Sequence, residues 1–525
     1  MKPKSMLIID GYVDEPGGLG VPPYIDVYPR YIAGAAWLAD SGAKITYATV
    51  DEFRSEWSLS EASEYDVVVF IAGVVVPGRY IGANPVRAEE IMLWSRVIDD
   101  PLKVLVGPAA KWGLGSRGGE RAVSPREFRK SGIDVLVLGD VEHYFYDLFR
   151  HGYEKADPYY VRGDYTLVDK AAILGARIVS QHPYIDRNLT AEIETYRGCA
   201  RWVSGGCSFC VEPLRGRPLY RDPYSIALEV RALRYNGVRH VRLGRQADIL
   251  VYGSSRLGED EWPKPDPIML RRLFHGIRSL APGLVTLHID NVNPGTISRH
   301  KSESIEALKT IIEYHTPGDV AAMGVETADD RVAKLNNLNT TADEAMEAVR
   351  IINKIGGSRG WNGMPELLPG INFILGLPGE TKDTYKLNRG FLEAILKEGL
   401  MVRRVNIRKL LVIPTTRAAR MNPRLKRAAK YARGFTRWVR DYFDRVMLER
   451  VTPRGTVLRG LWVEECTREG YCYARQAGSY PLLNVLRCKP RRRYIDEVVV
   501  TGVHSGRSVE SMPLRYTLGD KSFCT

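Results

Sequence analysis

Cysteine is scarce in this sequence, and the first 198 residues contain none. Of the seven cysteines in 525 residues, three lie close together, at Cys199, Cys207 and Cys210, and the other four follow residue 465. An odd number of unevenly placed cysteines is not typical of a secreted disulfide framework.

Long hydrophobic runs are also lacking. The most apolar stretch, residues 67–76, is far shorter than the roughly 20 residues that span a bilayer. The N-terminus leads directly into a short apolar strand, too short for the core of a signal peptide. We therefore expect a cytoplasmic protein that does not enter a membrane.

Acidic residues are few in one part of the chain. Residues 401–493 hold 24 lysines and arginines against 6 acidic residues, whereas the whole chain has a net charge of +13, so the remainder is slightly acidic. A basic segment joined to an acidic body attracts a polyanion to one face, although a solvated basic surface is the alternative. The density of positive charge favours a nucleic acid as partner.

The first 150 residues alternate short apolar, β-branched runs with helical patterns. The predicted strands are 6–10, 44–49, 66–72, 103–107 and 134–138. This pattern predicts a doubly wound, Rossmann-like α/β domain over residues 1–150. A glycine-rich loop at 17–23 would lie at the carboxyl edge of the sheet, where a ligand site or an ordinary turn explains it equally well.

The rest of the chain divides into four further segments. Residues 151–190 are predicted to be a linker, and 191–415 carry six βα units with strands at 191–195, 238–243, 284–289, 320–325, 371–375 and 405–412. Six units predict a partial (β/α)6 barrel. Residues 416–452 form a basic helical segment with interleaved aromatic residues, and 453–525 show short strands typical of a small β-barrel.

The three clustered cysteines carry the chemistry. They are spaced C-x7-C-x2-C directly after the first strand of the predicted barrel. Three thiolates on one loop can hold three irons of a four-iron cluster and leave the fourth iron open to a substrate. A zinc site or buried thiols are the alternatives.

With these residues in place, the chain resembles the radical S-adenosylmethionine (SAM) superfamily over most of residues 190–415. The usual spacing of that superfamily is C-x3-C-x2-C, so the first gap is longer here. The resemblance implies a 4Fe-4S cluster held by Cys199, Cys207 and Cys210, with SAM as the second cofactor. It also implies a reducing partner such as ferredoxin or flavodoxin and cleavage of SAM to a 5′-deoxyadenosyl radical.

Later segments resemble the SAM-binding segments of that superfamily. They are 324–327, which ends the fourth strand, 372–381 on the fifth strand, and 244–248, where the superfamily often has Gly-Gly-Glu. Asp290 and Asn291, after the third strand, could face the cavity or cap the following turn. The resemblance gives the candidate cofactor-binding residues Phe209, Gln246, Asp290, Asn291, Glu326, Asn372 and Gly376, and the candidate catalytic residues Glu326 and Asp248.

Both flanking domains carry looser resemblances. The N-terminal domain resembles the cobalamin-binding-like domain that precedes many radical SAM barrels, although its D-x-H-x-x-G signature is missing and the first histidine is His143. Cobalamin is therefore a candidate cofactor without a histidine ligand. The C-terminal segment resembles the RNA-binding TRAM domain of tRNA methylthiotransferases, with Trp462 or Tyr480 available to stack on a base. Its four cysteines are predicted to be free or paired structural thiols, with an auxiliary cluster as the alternative.

The whole chain resembles an uncharacterised archaeal group of radical SAM proteins. These features together predict a radical SAM enzyme that modifies RNA, with tRNA methylation or methylthiolation as the reaction. One alternative is a cobalamin-dependent radical SAM methylase of a small molecule or protein. Another is a non-catalytic RNA-binding protein with a structural metal, which predicts zinc instead of iron.

Overall fold

The structure is a computed structural model that describes residues 2–15, 18–19, 23–74, 83–115 and 118–524. Most of the glycine-rich loop at 17–23 therefore lies outside the described residues. Among those described, no helix is both long enough and apolar enough to cross a membrane.

The N-terminal domain is built on a five-stranded parallel sheet, which confirms the predicted doubly wound fold. The strands lie in the order Lys44–Thr49, Ser5–Asp10, Val67–Ile71, Leu102–Val106, Val135–Leu136. All five residues of Val67–Ile71 are buried, as expected for a β-branched strand covered on both faces. The helices are Val27–Ala39, Val50–Glu56, Leu59–Ser63, Ala88–Val97, Pro108–Trp112, Pro125–Lys130 and Val141–His151.

The segment 151–190, predicted to be a linker, contains an α-helix at Thr166–Gly175 and a 3-10 helix at Ala176–Gln181. The α-helix crosses Val27–Ala39 at two glycines. A Cβ on Gly34 would lie 1.8 Å from the carbonyl oxygen of Ala171, and one on Gly175 would lie 1.8 Å from that of Arg30. This segment is therefore packed onto the N-terminal domain.

The central domain has six parallel strands, which confirms the predicted partial barrel. Thr190–Glu194, His240–Gly244 and Thr286–Ile289 form one sheet, and Asp319–Glu326, Leu367–Leu375 and Arg404–Lys409 form the other. A bridge between Asn291 and Ala322 joins the two sheets. The surrounding helices are Pro223–Tyr235, Pro267–Leu280, Pro294–Arg299, Lys301–Tyr314, Asp330–Leu335, Ala342–Gly356 and Lys382–Lys397.

One further strand was not predicted. Tyr24–Ile25, in the N-terminal domain, pairs in parallel with Thr190–Glu194 at the edge of the barrel sheet. The N-terminal domain therefore contributes one edge strand to the barrel sheet, separate from its own five-stranded sheet.

The basic segment and the C-terminal β-barrel follow the sixth strand. Helices Arg417–Arg420 and Leu425–Trp438 lead into a π-helical turn, Val439–Phe443, and helix Asp444–Val451. A closed barrel is then formed by Val457–Cys466, Cys472–Gln476, Leu483–Leu486, Tyr494–Ser505 and Ser508–Pro513, as predicted. Its four cysteines form the disulfides Cys466–Cys472 and Cys488–Cys524, which agrees with the predicted structural thiols and not with the alternative of an auxiliary cluster.

Candidate active site at the mouth of the barrel

The three clustered cysteines lie on one loop after strand Thr190–Glu194, and all three thiols are free and partly exposed. The long first gap forms a short 3-10 helix, Ala200–Ser204. Gly205 and Gly206 follow it with φ angles of +76° and +60°, a left-handed conformation that glycine adopts without strain. The extra residues are therefore a compact turn that returns the chain to Cys207.

Contacts with a distant segment hold this cysteine loop in place. The backbone N–H of Ser208 donates to the Asn336 carbonyl oxygen at 2.8 Å, and its hydroxyl donates to Asn336 Oδ1 at 2.6 Å. Asn337 Nδ2 donates to the Gly206 carbonyl oxygen at 2.9 Å, and Arg417 donates to the same oxygen. Sequence reasoning missed these residues, because nothing in their local pattern indicates a contact with the loop.

The chemistry of the thiols fits an iron–sulfur cluster. Burial raises the pKa of Cys199 to about 12 and also raises that of Cys207, so the metal-free thiols are protonated and binding iron must displace their protons. In a cluster each thiolate binds a separate iron, whereas the ligands of a zinc ion surround one point.

Arg201 brings a buried positive charge to the cysteine loop. Its Nη1 lies 3.3 Å from Cys207 Sγ and donates to the Asn337 carbonyl oxygen at 2.9 Å, while its Nε donates to Glu261 Oε1 at 2.8 Å. An arginine that donates to a cluster thiolate stabilises the more negative, reduced cluster. Nothing in the local sequence pattern around Arg201 predicts this contact.

Replacing Arg201 by glutamine is expected to make the cluster harder to reduce. Losing one charge-assisted hydrogen bond to sulfur should lower the reduction potential by about 60 mV, measured by titration of the reconstituted protein followed by EPR. Glu261→Gln is the control, since it removes the ion pair of Arg201 without touching the sulfur. A potential that is equal in Arg201→Gln and wild type would contradict this role.

Glu326 ends the fourth strand in a strained and desolvated position. Its φ angle is +64°, and its Oε2 is buried with no hydrogen-bond partner among the described residues. Burial raises the pKa of the carboxyl group to about 8, and the charge of Arg408 opposes this shift. A carboxyl without a protein partner at the end of a barrel strand is suited to form hydrogen bonds with a ligand, as donor when protonated and as acceptor when ionised.

The raised pKa of Glu326 predicts a pH-dependent loss of stability. Its folded-state pKa lies above its unfolded value, so the folded protein binds the proton more tightly and loses stability as pH rises through about 8. Glu326→Gln removes this ionisation. We expect the variant to match wild type in urea unfolding at pH 5 and to exceed it by about 1–2 kcal/mol at pH 9. Equal differences at both pH values would contradict the assignment.

Asn372 lies on the fifth strand, and its register partner on the fourth strand is Gly324, two residues before Glu326. Its neighbour Phe373 packs outward against the rings of Phe391 and Phe435, with centroids 6.5 and 5.6 Å away. Alternate residues of a strand face opposite sides, so Asn372 faces inward. Its register partner on the sixth strand is Asn406, and both are partly exposed.

Phe209 and Gly376 lie on the side of the site formed by the fifth and sixth strands. Phe209 packs with Cys207 against an apolar cluster that includes Leu377 and Leu410. Gly376 has a φ angle of +99°, and its backbone N–H donates to Glu380 Oε2 at 2.8 Å.

Gln246, Asp248 and Asn291 are engaged in the turn after the second strand. Gln246 Oε1 accepts a hydrogen bond from Thr195 Oγ1 at 3.1 Å, and Asn291 Nδ2 donates to the Gln246 carbonyl oxygen at 3.1 Å. Asp248 Oδ2 accepts from Thr296 Oγ1 at 2.7 Å, and burial raises its pKa to about 7. All three polar groups therefore bond to the protein itself.

Asp290 lies deeper in the barrel. Its Oδ1 is 3.3 Å from Arg242 Nη1 and 3.4 Å from the Tyr480 hydroxyl. Arg242 in turn donates to both carboxylate oxygens of Glu192, at 2.7 and 2.8 Å. Tyr480 therefore lies within the radical SAM barrel. Of the two aromatic residues predicted to stack on RNA, only Trp462 lies on a strand of the C-terminal β-barrel.

The N-terminal domain meets the barrel near this mouth. The guanidinium of Arg245, with a φ of +63°, lies 5.0 Å from the ring centroid of Tyr28, and that of Arg215 lies 4.7 Å from Trp112. The sole histidine of residues 1–150, His143, is on helix Val141–His151 against Tyr160. This domain has no D-x-H-x-x-G signature, so a cobalamin held here would lack that histidine as a ligand to cobalt.

Comparisons with known proteins show the family to which the chain belongs. Residues 193–387 match the sequence profile of the radical SAM superfamily. An uncharacterised protein of Methanocaldococcus jannaschii, MJ0274, is 44% identical over 484 residues, which cover 91% of this chain and 87% of that protein. A second uncharacterised protein, from Archaeoglobus fulgidus, is 41% identical over 510 residues, covering 96% of this chain and 89% of its own length.

Two further comparisons cover enzymes with described activities. A tRNA-2-methylthio-N(6)-dimethylallyladenosine synthase of Protochlamydia amoebophila is 27% identical over 217 residues, 40% of this chain and 42% of that enzyme. The methyltransferase TsrM of Kitasatospora setae superposes with a TM-score of 0.53 at 18% identity, covering 79% of this chain and 75% of TsrM. The cobalamin-dependent enzyme OxsB gives 0.52 at 14% identity, covering 82% and 56%. At such identities, these two structures show a shared fold alone.

The chain belongs to the radical SAM superfamily. Within it, the chain is related along nearly its whole length to the uncharacterised archaeal proteins. The predicted cofactors, a 4Fe-4S cluster and SAM, are confirmed by this membership. When bound, the cluster supplies the electron that cleaves SAM.

Proposed function

We propose that this protein is a cytoplasmic transferase that modifies RNA, and its reaction is tRNA methylation, or methylthiolation with the sulfur atom supplied by a separate sulfide donor. In this proposal Cys199, Cys207 and Cys210 hold the cluster, and a ferredoxin- or flavodoxin-like protein reduces it. SAM is positioned by the inward-facing and loop residues described above: Phe209, Gln246, Glu326, Asn372 and Gly376.

The observation that carries the proposal is a basic helix whose first residue packs against the same apolar cluster as Cys207 and Phe209. On helix Leu425–Trp438, the apolar face buries Ala432 and Phe435, and Leu425 packs with the apolar cluster that contains Phe209. The opposite face carries four exposed cations at helical spacing, Lys426, Lys430, Arg433 and Arg437. A row of cations beside the active site is suited to the phosphates of a polynucleotide.

A second basic surface lies on the C-terminal barrel. Three exposed arginines, Arg491, Arg492 and Arg493, precede Tyr494, which is 45% exposed. The ring of Trp462 packs against Tyr494 with centroids 5.2 Å apart. Aromatic rings among arginines are the usual platform for an unpaired base. The partial similarity to a tRNA-modifying enzyme supports the same class of substrate.

The test is transfer of label from SAM to RNA. Anaerobic, reconstituted protein should be incubated with dithionite, SAM labelled in its methyl group, and bulk tRNA from a strain that lacks this gene. We expect 5′-deoxyadenosine and labelled tRNA, with at least about tenfold less label in tRNA from the parent strain, whose sites are already modified. Formation of 5′-deoxyadenosine without any label in the RNA would overturn the proposal.

A further inference from the structure

A loop of the C-terminal β-barrel enters the radical SAM barrel from the end at which the sixth strand begins, here called the lower end. Residues 477–482, here named the floor loop, connect strands Cys472–Gln476 and Leu483–Leu486. The backbone N–H of Ser479 donates to His288 Nδ1 at 3.0 Å, and its hydroxyl donates to the Ile289 carbonyl oxygen at 3.2 Å. A Cβ on Gly478 would lie 2.6 Å from His288 Cε1, so the loop can approach the third strand this closely only with glycine there.

Tyr480 extends from the third strand to the sixth. Its hydroxyl contacts Asp290, which directly follows the third strand, at 3.4 Å. The guanidinium of Arg404, which begins the sixth strand, lies 4.1 Å from its ring centroid. Arg403 Nη2 also donates to the Tyr480 carbonyl oxygen at 2.6 Å. Tyr480 therefore bridges the two sides of the partial barrel from inside.

The strand register places Arg404, on which the Tyr480 ring stacks, below the candidate SAM-binding residue Asn372. Arg404 and Asn406 are two residues apart on one face of the sixth strand, and Asn406 is the register partner of Asn372. Two residues of a strand rise by about 7 Å. The backbone of Arg404 is thus about one such step below Asn372 along the strand direction.

We propose that the floor loop closes the reaction cavity from below and that Tyr480 is a positioning residue for the substrate, acting through Asp290 and Arg404. Asp290 is held between Arg242 on one side and the Tyr480 hydroxyl on the other. A carboxylate acceptor and an arginine donor side by side suit the edge of a nucleobase that has been turned out of its stack. The identification of the substrate as a nucleobase rests on the proposed function, whereas the position of the floor loop inside the radical SAM barrel does not depend on it.

The test compares Tyr480→Phe and Tyr480→Ala with Tyr473→Phe, a control on the adjoining strand of the same barrel. All are assayed as full-length, reconstituted protein. We expect Tyr480→Phe to bind S-adenosylhomocysteine within about twofold of wild type, because the loop lies beneath SAM. In Tyr480→Phe the ratio of 5′-deoxyadenosine to labelled tRNA should rise about tenfold, because the radical forms but does not react with a substrate that is held in the wrong position. Tyr480→Ala should form 5′-deoxyadenosine several-fold faster without RNA, because its open floor admits solvent and reductant.

Each outcome supports or overturns the proposal. A wild-type ratio in both Tyr480 variants, or the same change in Tyr473→Phe, would overturn it. If wild-type protein labels no RNA, the proposed function fails, and the RNA-free assay of Tyr480→Ala still decides the role of the loop: a faster rate supports it and an unchanged rate overturns it.

Discussion

Replacing Cys207 by alanine is expected to abolish the cluster and the cleavage of SAM. With two thiolates left on the loop, a four-iron cluster lacks a ligand for one further iron and cannot keep a single open position for SAM. We expect the reconstituted variant to lose most of its iron and its visible absorption. Formation of 5′-deoxyadenosine should fall at least about a thousandfold, to the detection limit of the assay.

Ser208→Ala is the matched control for this experiment. It removes the 2.6 Å hydrogen bond to Asn336 next to Cys207, but it leaves all three thiols in place. We expect it to retain iron and most of its activity. If Cys207→Ala kept its iron, or if wild-type protein bound zinc instead of iron, the assignment of the cysteine loop would be wrong.

Reversing three charges on the basic helix is expected to abolish binding of RNA at physiological salt. The triple variant Lys430→Glu, Arg433→Glu, Arg437→Glu removes three cations from one exposed face and adds three anions in their place. Because each phosphate contact contributes to affinity and to its salt dependence, we expect at least about a hundredfold weaker binding of tRNA and a shallower salt slope. Fluorescence anisotropy at several salt concentrations measures both quantities.

The control carries the same change of net charge on another surface. Arg231→Glu, Arg272→Glu, Lys309→Glu alters three exposed residues on the outer helices of the radical SAM barrel. A general electrostatic effect would weaken both triple variants equally, whereas a docking face on the basic helix predicts a much larger loss in the first. Formation of 5′-deoxyadenosine without RNA should stay near the wild-type rate in both.

The main-chain architecture could be predicted because buried strands are recognisable from short, local sequence patterns. Runs such as Val67–Ile71 are β-branched and continuous, and the structure places each of them in a parallel sheet. Tyr24–Ile25 has only two residues, too few to show a period, and its pairing depends on a partner about 165 residues away. The helix Thr166–Gly175 was missed because its packing depends on two glycines whose role appears only when the helices meet.

The candidate site also contains residues that the sequence predicted and residues that it did not. Few kinds of site use three cysteines at such spacing, so the cysteine loop could be recognised from the sequence. Glu326 could be recognised because it is an acidic residue at the end of an apolar strand. Arg201 is one of many arginines, and its contact with Cys207 depends on the turn made by Ala200–Ser204. Tyr480 lies in another domain, 190 residues from Asp290, so no local pattern could place it in the barrel.

The two-residue strand Tyr24–Ile25 means that the halves of this protein cannot be separated cleanly. A fragment starting near residue 190 would uncover the edge of Thr190 and Ala191 that Tyr24 and Ile25 pair with, and open strand edges recruit other chains. Gene fusions, truncations and domain exchanges in this group should therefore preserve the first 25 residues together with the barrel, or supply a substitute for the strand that seals it.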